Sequence, residues 1–274
     1  MPLQLDFKHF DASNLDLLMN NKLFAVAASA VIAIGALSSV LRADVIAYDN
    51  FDYADGSLVG NGGWANHSGA SGDLQVLNNQ VVVQHGSPSE DANLSFSSGA
   101  GDIFFGIDFS VSSSAAISGG DFEYFAHFKT DGFAFSARLD IVAGTNGGDF
   151  TVGIASDDST ADAIWATDLT FGTFYRAVVR YDQSNNQAQL WLDATDESDL
   201  SILGDDKDDP GDTVTQFALR QSDSSQNETV TVDNLVIGQT FQDVDTPFTA
   251  VPEPSGLLVL GLFGFAGLAR RRKS

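Results

Sequence analysis

Apolar and polar side chains alternate along most of the chain between residues 44 and 238. In residues 103–111 the odd positions are all apolar, and Gly106, Asp108 and Ser110 lie between them. A period of two predicts a strand that buries one face. The same pattern predicts nine further strands, at residues 43–48, 81–83, 122–128, 133–141, 150–154, 173–181, 187–193, 214–219 and 229–237.

These predicted strands are short and are separated by turns rich in Gly, Asn, Asp and Ser. No long stretch of residues 44–238 shows the 3.6-residue period of a helix. The pattern therefore predicts an all-β domain, a β-sandwich or jelly roll. Residues 239–250 carry neither pattern, and we expect them to be a linker.

The final predicted strand changes its alternation partway along. Val230 and Val232 have one parity, whereas Leu235 and Ile237 have the other. A β-bulge at residues 233–234 would bring all four side chains onto one face, because a bulge inserts one extra residue.

Residues 19–43 carry the parts of a secretory signal peptide. Met19 and Lys22 precede an apolar run at residues 23–37, and small residues lead to a cleavage site after Ala43. Residues 1–18 contain three Asp and one Lys, the wrong charge for such a leader. We expect Met19 to be the true start and residues 1–18 to be a gene-model extension; the alternative is a genuine long leader.

The C-terminal residues predict a short membrane anchor. Residues 256–269 are apolar, and as a helix they would reach about 21 Å, less than the hydrocarbon core of roughly 30 Å. Pro252 and Pro254 prevent the helix from extending upstream. A run of cations follows, as expected of a cytoplasmic end, and it comprises Arg270, Arg271, Arg272 and Lys273.

Residues 251–274, behind a signal peptide, resemble a PEP-CTERM sorting domain. That resemblance implies recognition of Pro252, Glu253 and Pro254 by exosortase, a membrane-embedded processing enzyme. It also implies a Gram-negative, exopolysaccharide-producing host, transient anchoring in the inner membrane, and release to the cell surface or extracellular matrix. Signal peptidase, exosortase and exopolysaccharide are therefore the expected partners.

The charge of the chain restricts these partners further. Its 274 residues carry a net charge of −24, and residues 44–251 alone contain 33 acidic and 6 basic side chains. Such a surface repels nucleic acid and anionic lipid, and it attracts divalent cations unless the acid serves solubility alone. The absence of Cys excludes disulfides and thiol chemistry.

Residues 44–238 resemble the concanavalin A-like lectin and glucanase fold, and within it the laminin-G-like domains. The resemblance is carried by residues 48–53 with Trp64, by a late hairpin at residues 172–193, and by a closing strand at residues 232–238. It implies a candidate structural calcium ion where the first and last strands meet. Asp52 and Asp233 are its candidate ligands, and turn capping is the alternative role for both.

The residues offer no catalytic constellation. Glycoside hydrolysis needs two carboxylates at a set separation, and the nearest approach to the glucanase pattern, Asp121 and Glu123, lacks its other acid and is predicted to be the solvent face of a strand. His67, His85 and His127 are predicted to have ordinary polar surroundings. We therefore predict no catalytic residues and no enzymatic activity.

Sugar binding remains the leading hypothesis for the domain. Trp64 lies in a Gly/Asn loop, and Trp191 faces away from Leu190 and Leu192, so both are candidate exposed platforms. The alternative is that both indoles pack in the core. The sequence thus predicts a non-enzymatic surface protein that associates with carbohydrate, the alternatives being a divergent glycan-active enzyme or a structural, adhesive protein.

Overall fold

Sixteen strands and one short helix form the part of the chain that the structure describes, residues 45–113, 117, 123–205, 210–222 and 228–248 of a computed structural model. All of these residues belong to one compact unit, Arg42–Ala250. The elements are β1 (Val45–Asp49), β2 (Gly56–Ser57), β3 (Trp64–Gly69), β4 (Gln75–Leu77), β5 (Gln80–Gln84), β6 (Glu90–Ser95), β7 (Asp102–Ser113), β8 (Glu123–Lys129), β9 (Phe135–Ala143), β10 (Phe150–Ala155), β11 (Ala163–Ile164), β12 (Tyr175–Asp182), β13 (Gln187–Leu192), β14 (Ser201–Asp205), β15 (Gln216–Arg220), β16 (Glu228–Gly238) and α1 (Phe241–Val244).

The strands form two antiparallel sheets. The nine-stranded sheet has the order β14-β13-β12-β7-β16-β5-β4-β2, and β1 also pairs with β16. The seven-stranded sheet has the order β11-β10-β9-β8-β15-β6-β3. Eight of the fourteen pairings among the described strands join strands that are not consecutive in the chain, as β7 and β16 are not, and the other six join consecutive strands. This arrangement confirms the predicted all-β sandwich.

The core lies between the inner faces of the two sheets. Phe105 of the nine-stranded sheet packs edge-on against Phe128 and Phe217 of the seven-stranded sheet, with ring centroids 5.1 and 5.0 Å apart. The Phe109 ring lies tilted against that of Phe125, with centroids 5.6 Å apart. Edge-to-face pairs of this kind add to the stabilisation that apolar burial provides.

A second apolar cluster lies on the outer face of the nine-stranded sheet. Phe241 and Val244 of α1 are fully buried there, against strand residues that include Trp191 and Val236. Thr240 begins the helix with a capping box, in which the Asp243 carboxylate accepts a hydrogen bond from the Thr240 N–H. The linker prediction is therefore wrong for residues 240–244, because their apolar side chains cover the sheet.

The bulge predicted in the final strand is confirmed. The pairing of β16 with β7 shifts register between Asp233 and Val236, and Asn234 has a φ of 51°. Val230, Val232, Leu235 and Ile237 consequently all lie in the core. Other predicted strands are present within two residues of their ends, whereas β2, β3, β4, β6, β11 and β14 were missed.

A second bulge overturns part of the alternation predicted for residues 133–141. Ala137 has a φ of 53°, and the β8–β9 pairing shifts register in this region. Ala137 and Leu139 face the core as predicted. Phe135, which shares their parity, instead packs on the outer face against His127, with ring centroids 4.8 Å apart. The irregularity thus moves Phe135 out of the core.

Candidate functional site

Trp64 is buried at the start of β3. Its side chain is 2% exposed, and its Nε1–H donates a 2.8 Å hydrogen bond to Asp49 Oδ2. Phe51 and Phe217 pack against the indole, at centroid distances of 6.0 and 6.3 Å. The prediction that Trp64 is an exposed platform is wrong, because this loop residue is anchored by a buried carboxylate.

Trp191 lies on the outer face of the nine-stranded sheet, opposite Leu190 as its parity predicted. It is nevertheless 1% exposed, because Phe241 of α1 packs edge-on against it at 5.4 Å. Its Nε1–H donates to the Glu197 carbonyl oxygen at 3.1 Å. The predicted platform is wrong here as well, since the segment taken for a linker covers the ring.

The structure brings Asp52 and Asp233 to one hairpin turn. Asp52 is exposed and accepts a 2.9 Å hydrogen bond from Asn79 Nδ2. Asp233 is half-buried and accepts from Gln80 Nε2 at 3.2 Å. Burial raises the pKa of Asp233, and the nearby carboxylates of Asp108 and Asp49 raise it further.

The structure does not test the prediction of calcium binding. The amide groups of Asn79 and Gln80 face the two carboxylates, and calcium accepts amide carbonyl oxygens as ligands. No group of three acidic or histidine side chains positioned to hold a metal is found among the described residues. Calcium binding through Asp52 and Asp233 therefore stays a prediction.

The outer face of the seven-stranded sheet carries a cluster that the sequence did not single out. We call it the His127 patch, and it consists of His67, Tyr124, His127, Lys129, Phe133, Phe135, Arg138, Asp140 and Arg220. Strands β3, β8, β9 and β15 supply these side chains, and Phe133 lies in the loop between β8 and β9. The patch therefore joins elements that are distant in sequence.

Aromatic rings form the rim of the patch. Phe133 is 78% exposed, and its ring lies 5.0 Å from His67 and 6.4 Å from Phe135. His67 belongs to β3, which three strands separate from β9 in the sheet. A flat sheet would hold those strands roughly 19 Å apart, so the β8–β9 hairpin must curl over the outer face. His127 is buried beneath it.

Two arginines flank a single tyrosine in the floor of the patch. The guanidinium carbons of Arg138 and Arg220 lie 4.9 and 4.2 Å from the Tyr124 ring centroid, within cation–π range. Arg220 also forms an ion pair with Glu123, 3.7 Å between Nη1 and Oε2. Arg138 has no ion pair within the described ranges, and its buried Nε has no hydrogen-bond partner there.

His127 and Asp140 lie deepest in the patch. Both nitrogens of His127 and both carboxylate oxygens of Asp140 are buried without a hydrogen-bond partner among the described residues. Burial lowers the pKa of His127 well below its usual value, and the charges of Arg138 and Arg220 lower it further. Burial likewise raises the pKa of Asp140 well above its usual value, which favours the protonated acid. Unsatisfied buried groups of this kind are costly, and they are typical of functional sites.

Glu123 lies at the edge of the patch, and its predicted exposure is wrong. The side chain is buried, and His85 Nδ1 lies 3.5 Å from its Oε2 and 3.8 Å from Glu228 Oε1. His85 and His127 are thus buried rather than in ordinary polar surroundings. Asp121 lies outside the described residues.

Known proteins resemble this chain at two levels. Residues 250–273 match the PEP-CTERM protein-sorting motif, which confirms the prediction for the tail. No curated protein matches the chain. Structures similar to the sandwich include the Lotus tetragonolobus seed lectin (TM-score 0.46, 10% identity, 72% of this chain and 98% of that one). They also include lectin II from Ulex europaeus (0.44, 13%, 71% and 98%) and an alginate lyase of Polysaccharide Lyase family 7 (0.42, 13%, 63% and 85%).

The two targeting segments cannot be followed in the structure. The signal peptide at residues 19–43, the Pro252–Pro254 triplet and the cations at residues 270–273 all lie outside the described residues. Among the described helices, none has the length and apolar character needed to cross a membrane.

Proposed function

We propose that this chain is an exported surface or extracellular-matrix protein whose sandwich domain binds carbohydrate at the His127 patch. The sorting motif at residues 250–273 supports export through the exosortase pathway of a Gram-negative bacterium. The patch supports the binding function, because it combines exposed aromatic rings with unpartnered polar groups.

One observation carries the binding proposal. Phe133 exposes 78% of its surface beside His67 and Phe135, at the end of the patch where Phe135 packs on His127. Sugar rings present C–H faces that pack on aromatic side chains, and a few polar groups at the edge of such a surface hydrogen-bond their hydroxyls. Water molecules in contact with an exposed phenylalanine ring form no comparable favourable contact.

Glycan binding by the full chain and a Phe133→Ala variant tests this function. We expect the full chain to bind a subset of immobilised glycans, and Phe133→Ala to weaken that binding roughly tenfold through loss of the apolar contact. Phe174→Ala is the matched control, since Phe174 is also exposed but precedes β12 of the other sheet. Absence of binding to every glycan, or equal loss in both variants, contradicts the proposal.

The sorting tail has its own test. We expect replacement of Pro252, Glu253 and Pro254 by alanine to leave the precursor unprocessed in a host that contains exosortase, because the recognition element is lost. Immunoblotting of membrane and surface fractions measures this. Substitution of Leu257, Leu258 and Val259 by other apolar residues is the control, and processing should continue. Normal surface release of the alanine variant would contradict the role of the triplet.

A glycan-cleaving enzyme is the second candidate. Tyr124 and His127 contact each other with ring centroids 5.3 Å apart, and Asp140 pairs directly opposite Tyr124 in the sheet. Such groups serve as general acids and bases when a substrate reaches them. Release of new chain ends from a bound polysaccharide, lost in His127→Gln, would favour this function over binding alone.

A further inference from the structure

The arginines of this acidic domain differ in their partners. Arg176 forms an ion pair with Asp108 at 2.7 Å, and Arg180 forms one with Asp102 at 3.1 Å. Arg220 is paired with Glu123. Arg138 alone, within the described segments, forms no ion pair at contact distance, although its charge is felt by Asp140 and residues 44–251 carry 33 acidic side chains. Its guanidinium is thus held charged and unpaired in a protein with abundant carboxylates.

The surroundings of Arg138 fix the orientation of this group. Tyr124 and Phe135 lie 4.9 and 5.6 Å from its guanidinium carbon, so the side chain packs between two rings. Its Nε is fully buried and unsatisfied. Its terminal nitrogens are not among the buried unsatisfied atoms, so a planar carboxylate that binds end-on would accept hydrogen bonds from both of them.

An apolar surface, rather than further charge, adjoins this fork. Asp140 is two residues along β9, but it is completely buried and offers no oxygen at the surface. Phe135 and Phe133 supply an apolar surface on the adjoining rim. The other acids of this face are already engaged, since Asp91 accepts from Ser68 Oγ at 2.7 Å and Glu123 contacts Arg220 and His85.

We propose that the His127 patch selects acidic glycans, with Arg138 binding the carboxylate of a hexuronate residue and Phe133 and Phe135 packing against its ring. This inference rests on the proposed carbohydrate-binding function and assigns its ligand class. A hexuronate offers a planar carboxylate, several hydroxyls and an apolar ring face within one unit. Neutral sugars leave the guanidinium unpaired. A tetrahedral sulfate matches its planar fork less well than a carboxylate does.

The test compares polymers that differ only in the carboxylate. The full chain is titrated, in 150 mM salt with a chelator, against polygalacturonate and polymannuronate, against their methyl esters, and against dextran sulfate. The chelator removes calcium, which would otherwise bridge two polyanions. We expect at least one uronate polymer to bind tenfold or more tightly than its methyl ester, and dextran sulfate to bind more weakly than that uronate.

Variants that remove the same charge at different positions show whether the preference for the free acid depends on Arg138. Arg138→Gln should remove the preference for the free acid, and Arg138→Lys should restore only part of it because lysine lacks the fork. Arg180→Gln removes the same charge from the other sheet, and it should keep the preference. Far-UV circular dichroism shows whether each variant is folded. If Arg138→Gln does not fold, Arg138→Lys alone tests the role of the guanidinium.

The outcomes separate this inference from the function on which it rests. Equal binding of uronate and methyl ester would overturn the assignment of acidic ligands and leave carbohydrate binding intact. Preference for dextran sulfate, or an unchanged preference in Arg138→Gln, would likewise overturn it. Binding to no glycan of any kind would contradict the proposed function itself.

Discussion

At the scale of single residues, the domain accommodates two buried carboxyl groups in opposite ways. The Glu90 carboxylate is fully buried, and it accepts hydrogen bonds from the backbone N–H groups of Gly72, Asp73 and Leu74 and from Asn66 Nδ2. Asp140, equally buried, accepts none from the described residues. The first arrangement orders a loop, whereas in the second the carboxyl group is held in its protonated form.

We expect Glu90→Gln to destabilise the domain by about 2–3 kcal/mol. The amide keeps only one acceptor oxygen, so backbone donors that now share a charged group lose partners. Chemical denaturation followed by circular dichroism measures the change. Glu197→Gln, at an exposed position, should alter stability by less than about 0.5 kcal/mol. Equal effects would contradict the structural role of Glu90.

The raised pKa of Asp140 gives a prediction of the opposite sign. A carboxyl whose folded pKa exceeds its unfolded value near 3.8 binds a proton on folding, so stability falls as pH rises through that window. Asp140→Asn removes this cost. We expect the variant to melt at a higher temperature than the parent at pH 7.5, by a margin that shrinks at pH 4.5.

Asp168→Asn is the natural comparison. The backbone N–H groups of Thr145, Gly148 and Asn146 hold the pKa of Asp168 below its usual value, so this carboxylate stabilises the fold above that value and less as pH falls. Loss of this carboxylate in Asp168→Asn should lower the melting temperature at pH 7.5, and the decrease should be smaller at acidic pH. If Asp140→Asn and Asp168→Asn changed the melting temperature in the same direction at pH 7.5, the two assigned directions of pKa shift would be contradicted.

At the scale of elements, the one described helix has a large consequence for its length. Helix α1 has four residues, yet it buries Phe241 and Val244 and seals the ring of Trp191. Gly106 of β7 makes the approach possible, because a Cβ there would lie 2.0 Å from the Val244 carbonyl oxygen. Arg176 donates to that same carbonyl from Nη2 at 2.8 Å.

We expect Phe241→Ala to cost about 3–5 kcal/mol, the usual range for removal of a buried phenylalanine. Trp191 should become solvent-exposed, so its fluorescence should shift to longer wavelength. Phe174→Ala, at a position 47% exposed, should leave both quantities nearly unchanged. An unaltered emission spectrum in Phe241→Ala would show that the helix does not cover the indole.

The elements also show how far the sequence determines this structure. Strands with strict alternation, and the bulge at residues 233–234, could be predicted because their buried side chains follow a regular period. Strands β3 and β6 could not, since β3 alternates weakly and β6 places Glu90 and Asn93 on buried positions. Helix α1 lacks the length that a helical period requires, and its burial depends on a distant sheet.

The candidate site was the least predictable part. Its members come from strands β3, β8, β9 and β15, and no local motif links them. Phe133 and Phe135 read as core residues because the bulge at Ala137 has no sequence signature; alanine rarely adopts a positive φ. The one available signal was that Lys129, Arg138 and Arg220 are half of the six basic residues between positions 44 and 251.

At the scale of the whole molecule, the patch lies within a strongly negative domain. The surplus of acid repels any polyanion at long range, whereas Arg138 acts only on contact. Salt shortens the range of this repulsion, with a Debye length of about 30 Å at 0.01 M and about 8 Å at 0.15 M. The rate at which an acidic glycan approaches the domain and the strength of its contact with Arg138 should therefore depend on salt in different ways.

We expect the association rate with a uronate polymer to rise between 0.01 and 0.15 M salt, because the general repulsion is screened. Basic proteins that bind polyanions show the reverse dependence. Surface plasmon resonance with the immobilised polymer measures the rate, and the neutral methyl ester serves as control, with a rate that changes little. A rate that falls with salt would indicate that a positive field dominates the encounter.

The irregularity at Ala137 bears on how such a surface can arise in evolution. Without the extra residue, Phe135 would turn into the interior and the buried Ser136 would turn outward, because a change of one residue moves each side chain of a strand segment to its other face. A single insertion or deletion in this hairpin therefore exchanges the faces of the few residues that precede the bulge. Related exported domains can thus gain or lose a recognition surface in one mutational step while the remainder of the fold is retained.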